Sequence, residues 1–388
     1  MAHSIFKKMK VTGISVVVPD NIIPIEDELE LFDNNPKMLA RNKKIIGFGT
    51  RYVVPRAKGC SCTTTDLCEA AAKKLIDDMK IDANEIDAII AVIQKPDYPE
   101  PGSACVLHGR LNLPDSCAAF DVNHGCAGYT YGLWIAGSMI ESGACKKILL
   151  IAGDTNSFGF KIDDTFIFKN DILFGDAGSA TMLEYSDNAP PAYFNTYADG
   201  KGYEDLIYPF GGLRVRLDKD LLDTVITGKN GAKQPLPAFY MDGWRVFEFT
   251  ISKVPPSIID IMNYAGFSAD GIDYFVLHQA NKQIVDAVAV KSGIPAGKYS
   301  SETFTKYGNQ STASMPSVIS HLLQDKVTGG KQRLLLSAFG IGLAWCNAII
   351  ELDRIYCSGI VVQNFDHIRT REEEIKYWLD KITENINK

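Results

Sequence analysis

Asp121-Val-Asn-His-Gly-Cys-Ala-Gly-Tyr-Thr130 is the stretch whose reading decides the fold. Just ahead of it, Ala118-Ala-Phe-Asp-Val122 reads as a short buried strand. From Tyr129 to Glu141 small and apolar residues dominate, and Ser142-Gly143 supplies a helix stop. Lys147-Ile-Leu-Leu-Ile-Ala152 follows as a second strand, which completes a strand–helix–strand unit. Cys126 falls at the turn from strand to helix. There the unpaired amides and the positive end of the helix dipole favour thiolate over thiol. Gly125 and Gly128 permit a tight turn and the close approach of a ligand to the backbone. This is the layout of a nucleophile elbow, with Cys in place of Ser. The remaining eight of the nine cysteines read as small buried core residues.

Outward from this unit, a length of 388 residues suggests two domains of ordinary size. A composition of 46% hydrophobic and 22% charged residues describes a globular protein with ample core. The net charge of −7 argues against general affinity for nucleic acid or an anionic membrane. No apolar run approaches the roughly 20 residues that span a bilayer. Val11-Thr-Gly-Ile-Ser-Val-Val-Val18 follows Lys7, Lys8 and Lys10 in the manner of a leader. It is broken by Gly13 and Ser15 and runs into Pro19-Asp-Asn21, so a first strand is the better reading. An odd cysteine count in a chain too long to need staples implies reduced thiols and a cytoplasmic location. Cys60-x-Cys62 has no partner ligands at zinc spacing, so no metal is expected.

Strands are expected at 9–18, 51–54 and Ile86–Ile93, with helix and loop over Asp27–Lys43. Thr64 and Thr65 can cap a helix whose Leu67, Ala71, Leu75 and Met79 share one face. Gln94-Lys-Pro-Asp-Tyr-Pro-Glu-Pro-Gly102 is too rich in proline for a helix or a central strand. Phe174-Gly-Asp-Ala-Gly178 places glycines beside a strand, a sign of close packing under a site. Ser186 to Pro237 has no sustained periodicity and reads as a junction and an insertion over a pocket. The second half then repeats the grammar of the first. Ile272–Leu277 is a strand that runs into His278-Gln-Ala-Asn281 and an apolar-periodic helix. His278 thus sits at a strand-to-helix turn, as Cys126 does. Asn309 lies in a loop before another helix, and Phe339-Gly-Ile-Gly-Leu343 is a turn between antiparallel strands. The expected organisation is 1–185, carrying Cys126; 186–237, the junction; 238–353, carrying His278 and Asn309; and a C-terminal extension, 354–388. In that tail Thr370-x-x-Glu373 is a capping box. Ile375, Trp378, Leu379, Ile382 and Ile386 form a stripe expected to dock on the body, with a partner surface as the alternative.

Taken together, Asn123-His-Gly-Cys-Ala-Gly-Tyr-Thr-Tyr-Gly132, His278-Gln-Ala-Asn281, Gly308-Asn-Gln-Ser-Thr-Ala-Ser-Met-Pro316 and Phe339-Gly-Ile-Gly342 resemble ketoacyl-acyl-carrier-protein synthase III. Phe174-Gly-Asp-Ala-Gly178 and Met241-Asp-Gly243 match as well, in the family's order. The resemblance implies a thiolase-like αβαβα sandwich with mixed sheets and two pseudo-duplicated halves, usually a homodimer. It implies a Cys126–His278–Asn309 triad, with the backbone N–H groups of Cys126 and Ile341 as an oxyanion hole. Cys126 would take an acyl group from acyl-CoA or acyl-carrier protein. Decarboxylative Claisen condensation with malonyl-carrier protein would follow, in fatty-acid or specialised biosynthesis, with no tightly bound cofactor.

Three departures from the family pattern bear on specificity. Ile341 stands where primary-metabolic members have Gly, so its φ should be negative. Arg41 and Ile45 replace a Trp and an Arg that grip the CoA nucleotide, and Gln283 replaces another Arg. Glu100 stands where many members insert an apolar residue into the partner subunit's acyl pocket; there it would serve as a base from the partner subunit, against the alternative of a solvated loop carboxylate. Competing readings are acyl transfer to an alcohol or amine, non-decarboxylative condensation of two acyl thioesters, a Cys-His-Asn hydrolase and a carrier-binding relic.

Overall fold

The computed structural model describes residues 2–55, 62–156, 171–228 and 233–387. Cys60 lies outside them. Two mixed sheets carry the fold. In the first, the strands run Tyr356–Gln363, Met9–Pro19, Ala177–Tyr185, Lys147–Asp154, Ala88–Val92, Ala118–Val122 in spatial order. In the second the order is Ala2–Phe6, Ala192–Ala198, Ala344–Asp353, Lys331–Gly340, Tyr274–Leu277. The pseudo-duplication is visible in the pairing itself. Met9–Pro19, Ala177–Tyr185, Lys147–Asp154 and Ala88–Val92 pair antiparallel, antiparallel, parallel. Ala192–Ala198, Ala344–Asp353, Lys331–Gly340 and Tyr274–Leu277 repeat that series.

The central strands are mainly apolar on both faces because both faces are covered. In Lys147–Asp154, Ile148, Leu150 and Ala152 point between the sheets. Leu149 and Ile151 point outward, under helices Thr64–Met79 and Ser103–Arg110. Lys331–Gly340 alternates in the same way. Leu334 and Leu336 face the middle layer, and Leu335 faces helices Gly243–Ala265 and Lys282–Lys291. Helices Gly128–Glu141 and Ser314–Leu322 fill the space between the sheets through Leu133, Ala136, Ile140, Val318 and Ile319. The five layers are therefore α, β, α, β, α. Each fully buried Leu, Ile or Val contributes about 1.5–3 kcal/mol, before the entropy of ordering the chain is set against it.

Several elements depart from the sequence reading. The sheets exchange strands across the sequence divisions: Ala2–Phe6 joins the second sheet, and Tyr356–Gln363 of the extension pairs parallel with Met9–Pro19 in the first. Helix Thr64–Met79 is capped by Thr63, not by Thr64 or Thr65. Its partner is Asp66, which accepts from the Thr63 N–H at 2.8 Å. The tail helix Arg371–Ile386 has the expected capping box, with Glu373 accepting from the Thr370 N–H at 2.8 Å. Its stripe is not docked on the chain. Leu379 is 60% and Ile386 76% exposed, and Ile375, Trp378 and Ile382 are exposed as well. Trp378 does meet the Tyr98 ring edge-on at 6.3 Å, and the Tyr98 hydroxyl donates to Glu374 at 3.4 Å. Because caps and local ion pairs such as Lys376–Asp380 (2.6 Å) support a helix without tertiary cover, an amphipathic pattern alone did not imply docking.

Candidate active site

Cys126 lies two residues before helix Gly128–Glu141, and His278 directly after strand Tyr274–Leu277. Asn309 lies after helix Glu302–Tyr307. All three line one cavity of about 440 Å³, together with Gln94, Ser311, Gly340, Ile341 and Gln283. Leu206 and Tyr208, from the segment 186–237 read as an insertion, also line it, as do Phe239, Met241 and Trp244 from the start of the second half. Arg41 and Ile45 do not line it. Their helix, Pro36–Ile46, ends at Gly47, where an added Cβ would sit 2.6 Å from Lys282 Cβ, beside Gln283. Glu100 is exposed and outside the cavity.

The pairing pattern alters the expected symmetry of the two turns. Tyr274–Leu277 corresponds to Ala88–Val92, so the counterpart of His278 is Gln94. Cys126 follows an additional edge strand, Ala118–Val122. The glycines flanking Cys126 also act differently from the expectation. An added Cβ on Gly125 would sit 2.2 Å from Ile341 Cγ2, and one on Gly128 would sit 2.5 Å from Val92 Cγ1. Protein side chains, not a ligand, occupy that space. The close approach that matters to the sulfur is at Gly340, where a Cβ would lie 2.7 Å from Cys126 Cβ and 3.1 Å from its Sγ.

The hydrogen bonds orient the polar groups. Ser311 N–H donates to Asn309 Oδ1 at 2.9 Å, which leaves Nδ2 as the donor end of that amide. The Asn309 backbone is held by Leu173 O at 2.8 Å and by the Gly175 N–H at 3.1 Å, from the Phe174-Gly-Asp-Ala-Gly178 segment. His278 Nδ1 and Ser314 Oγ are 2.8 Å apart; with the hydroxyl as donor, Nε2 carries the imidazole proton. Burial pulls the His278 pKa down to about 3, so the ring is neutral at physiological pH.

Cys126 differs from the thiolate expected of its position. Burial, with the Asp154 charge acting in the same sense, pushes its pKa up to about 11. Ser311 and the backbone N–H groups of Cys126 and Ile341 act in the opposite sense without overcoming burial. Desolvation outweighs the favourable end of one helix. Ile341 is not among the residues with positive φ, in line with its β-branched side chain. The sequence reading missed Gln94, Asp154 and Ser311. Ser311 lay inside the Gly308–Pro316 motif, whereas Asp154 carried only the signal of an acid that follows the apolar run Ile148–Ala152.

The two repeated halves and their five layers define a thiolase-type fold. The family profile described as 3-Oxoacyl-[acyl-carrier-protein (ACP)] synthase III matches residues 120–200, and its C-terminal counterpart matches residues 262–352. A 3-oxoacyl-[acyl-carrier-protein] synthase 3 homologue of Campylobacter jejuni is 36% identical over 362 residues, 92% of this chain and 98% of that protein. The beta-ketoacyl-[acyl-carrier-protein] synthase III of Coxiella burnetii is 30% identical, over 88% of this chain and 99% of its own. The crystal structure of 3-oxoacyl-(acyl-carrier protein) synthase from Burkholderia xenovorans superposes with a TM-score of 0.83 at 33% identity. That match covers 93% of this chain and 99% of the other. The chain belongs to the 3-oxoacyl-acyl-carrier-protein synthase III family, and it is a condensing acyltransferase.

Proposed function

We propose that the protein transfers an acyl group to Cys126 and condenses it with a malonyl unit on acyl carrier protein, with loss of carbon dioxide. The observation that carries this reading is the convergence of Cys126, His278 and Asn309 on one cavity, with two backbone N–H groups beside the sulfur. Cys126 attacks the thioester carbonyl, and the amides of Cys126 and Ile341 receive the oxyanion. His278 Nε2–H and Asn309 Nδ2–H then donate to the malonyl thioester oxygen as carbon dioxide leaves. A neutral imidazole suits that role, because it donates without first having to acquire a proton. The enolate carbon attacks the acyl-Cys carbonyl, and the β-ketoacyl product leaves on the carrier. Released carbon dioxide, followed with labelled malonyl-carrier protein and an acyl donor, tests the reading. Acyl transfer to an alcohol or amine without carbon dioxide would overturn it.

Acyl carrier protein is the proposed partner, and a cytoplasmic homodimer the proposed working form. Support for the homodimer comes from strand Ala118–Val122, which ends the first sheet with Ala118 and Asp121 exposed, an edge that a second copy can cover. With Arg41, Ile45 and Gln283 in place of the nucleotide grip, carrier-bound or longer acyl primers should be preferred to acetyl-CoA. We expect kcat/KM for a matched acyl-carrier protein to exceed that for acetyl-CoA by about tenfold or more, the equivalent of roughly 1.4 kcal/mol. A preference for acetyl-CoA would count against it.

Glu100 separates this reading from non-decarboxylative condensation. Its loop is anchored at one end by Asp121, whose carboxylate accepts from the Ser103 and Ala104 N–H groups at 2.7 Å each. Contact with chemistry would therefore require a second subunit. Decarboxylative condensation needs no such base, so Glu100→Gln should turn over within about twofold of the parent. A loss of about 10²-fold or more with the true acceptor would assign Glu100 as a base and favour the alternatives.

A further inference from the structure

Asp154 ends strand Lys147–Asp154, and its carboxyl is fully buried. Gln94 N–H donates to Oδ1 at 3.1 Å. Oδ2 accepts from Gln94 Nε2 at 3.2 Å, from the Thr312 hydroxyl at 3.1 Å and from the Thr312 N–H at 3.4 Å. Among the described residues no cation pairs with it, and burial raises its pKa against the hydrogen bonds from Ser311, Gln94 and Thr312 that lower it. Ser311 stands between this group and the nucleophile. Its Oγ accepts from Gln94 Nε2 at 2.8 Å, its side chain hydrogen-bonds Asp154, and it lies 3.8 Å from Cys126 Sγ.

We propose that Asp154 accepts the Cys126 thiol proton through Ser311 during acyl loading. The inference rests on the reading of Cys126 as the acyl carrier. As the Sγ–H bond breaks, the proton passes to Ser311 Oγ, and the hydroxyl proton of Ser311 moves to an Asp154 oxygen. Sγ bonds to the thioester carbonyl carbon. Collapse of the tetrahedral adduct expels the donor thiolate, which recovers a proton from Asp154 through Ser311. Cys–SH and RCO–SR′ thus become Cys–S–COR and R′SH, with no further reactant.

Geometry and charge both favour this route over His278. The imidazole is engaged with Ser314 through Nδ1, and a ring pulled down to about 3 is a poor proton acceptor. Burial raises the Asp154 pKa, which makes it a better acceptor than an ordinary aspartate. The ionisable groups around the relay are Cys126 and His278 in the cavity and Cys68 from helix Thr64–Met79, with Asp97 and Asp66 acting on Cys68. Burial and the Asp154 charge both push the Cys68 thiol up.

The test follows the rate of Cys126 acylation by intact-protein mass spectrometry across roughly pH 6 to 9, with one acyl-carrier protein as donor. The parent should load at a nearly constant rate, falling only at the acid end. Asp154→Asn and Ser311→Ala should load about 10²-fold more slowly near neutrality. Their rates should then rise about tenfold per pH unit, because without the relay only pre-formed thiolate reacts, and that thiol ionises near 11. Parent-like rates and profiles in both variants would overturn the relay. So would a uniform slowing with a flat profile, or faster loading in Asp154→Asn from removal of the charge that raises the thiol pKa. If Asp154→Asn fails to fold, Ser311→Ala decides alone. Absence of any adduct on parent Cys126 would remove the acyl-carrier reading and the relay with it, a result distinct from slow loading.

Discussion

Cys126→Ala should leave the protein folded and show no covalent acyl adduct after exposure to acyl-CoA or acyl-carrier protein. Condensation should fall by at least roughly 10⁴-fold, because no other group on the cavity wall can form the thioester intermediate. The fold should tolerate the change: Cys126 is not part of the apolar core clusters, and alanine removes one atom facing the cavity. The other described cysteines do not line this cavity. Intact-protein mass spectrometry should therefore find one adduct in the parent and none in the variant. An adduct of unchanged stoichiometry in Cys126→Ala would place the nucleophile elsewhere.

His278→Ala and Asn309→Ala should divide the reaction. In the proposed mechanism each removes one donor to the enolate oxygen, so release of carbon dioxide from malonyl-carrier protein should fall by about 10²–10³-fold, or roughly 2.7–4 kcal/mol of transition-state stabilisation. Acylation of Cys126 should fall far less, since neither side chain hydrogen-bonds the sulfur. Equal loss of both half-reactions would refute this division. The depressed His278 pKa adds a pH signature. Because the ring is neutral from about pH 3 upward, decarboxylation should show no inflection near 6.5 assignable to His278. Between about 6.5 and 3 the unfolded imidazole binds a proton that the folded one refuses. This residue's contribution to stability is thus present above about 6.5 and is lost as pH falls through that window. Denaturant unfolding of the parent and His278→Ala at two pH values would measure that difference.

Much of this was legible in the chain. Alternation and apolar runs marked the buried strands, because a strand covered on both faces is built mainly of apolar side chains, with the few polar ones, such as Thr181 and Asn347, hydrogen-bonded. The turn residues around Cys126, His278 and Asn309 marked three positions that line one cavity, and the repeated strand–turn–helix grammar announced two related halves. Those signals are local and depend only on neighbours along the sequence. Three other properties arise from residues far apart in the chain. Strand order made Gln94, not Cys126, the counterpart of His278, since pairing with Lys147–Asp154 and with Lys331–Gly340 defines equivalence. Packing decided the charge state of the site: Cys126 begins a helix as expected, yet its surroundings desolvate the sulfur enough to keep it a thiol. The same packing brought Asp154 within reach of Ser311, 157 positions away, with Gln94 hydrogen-bonded to both. Periodicity reports which side of an element is buried. What that side is buried against, and hence the dielectric, the proton path and the exposed face of the tail helix, was set only by how the two sheets close on the middle layer.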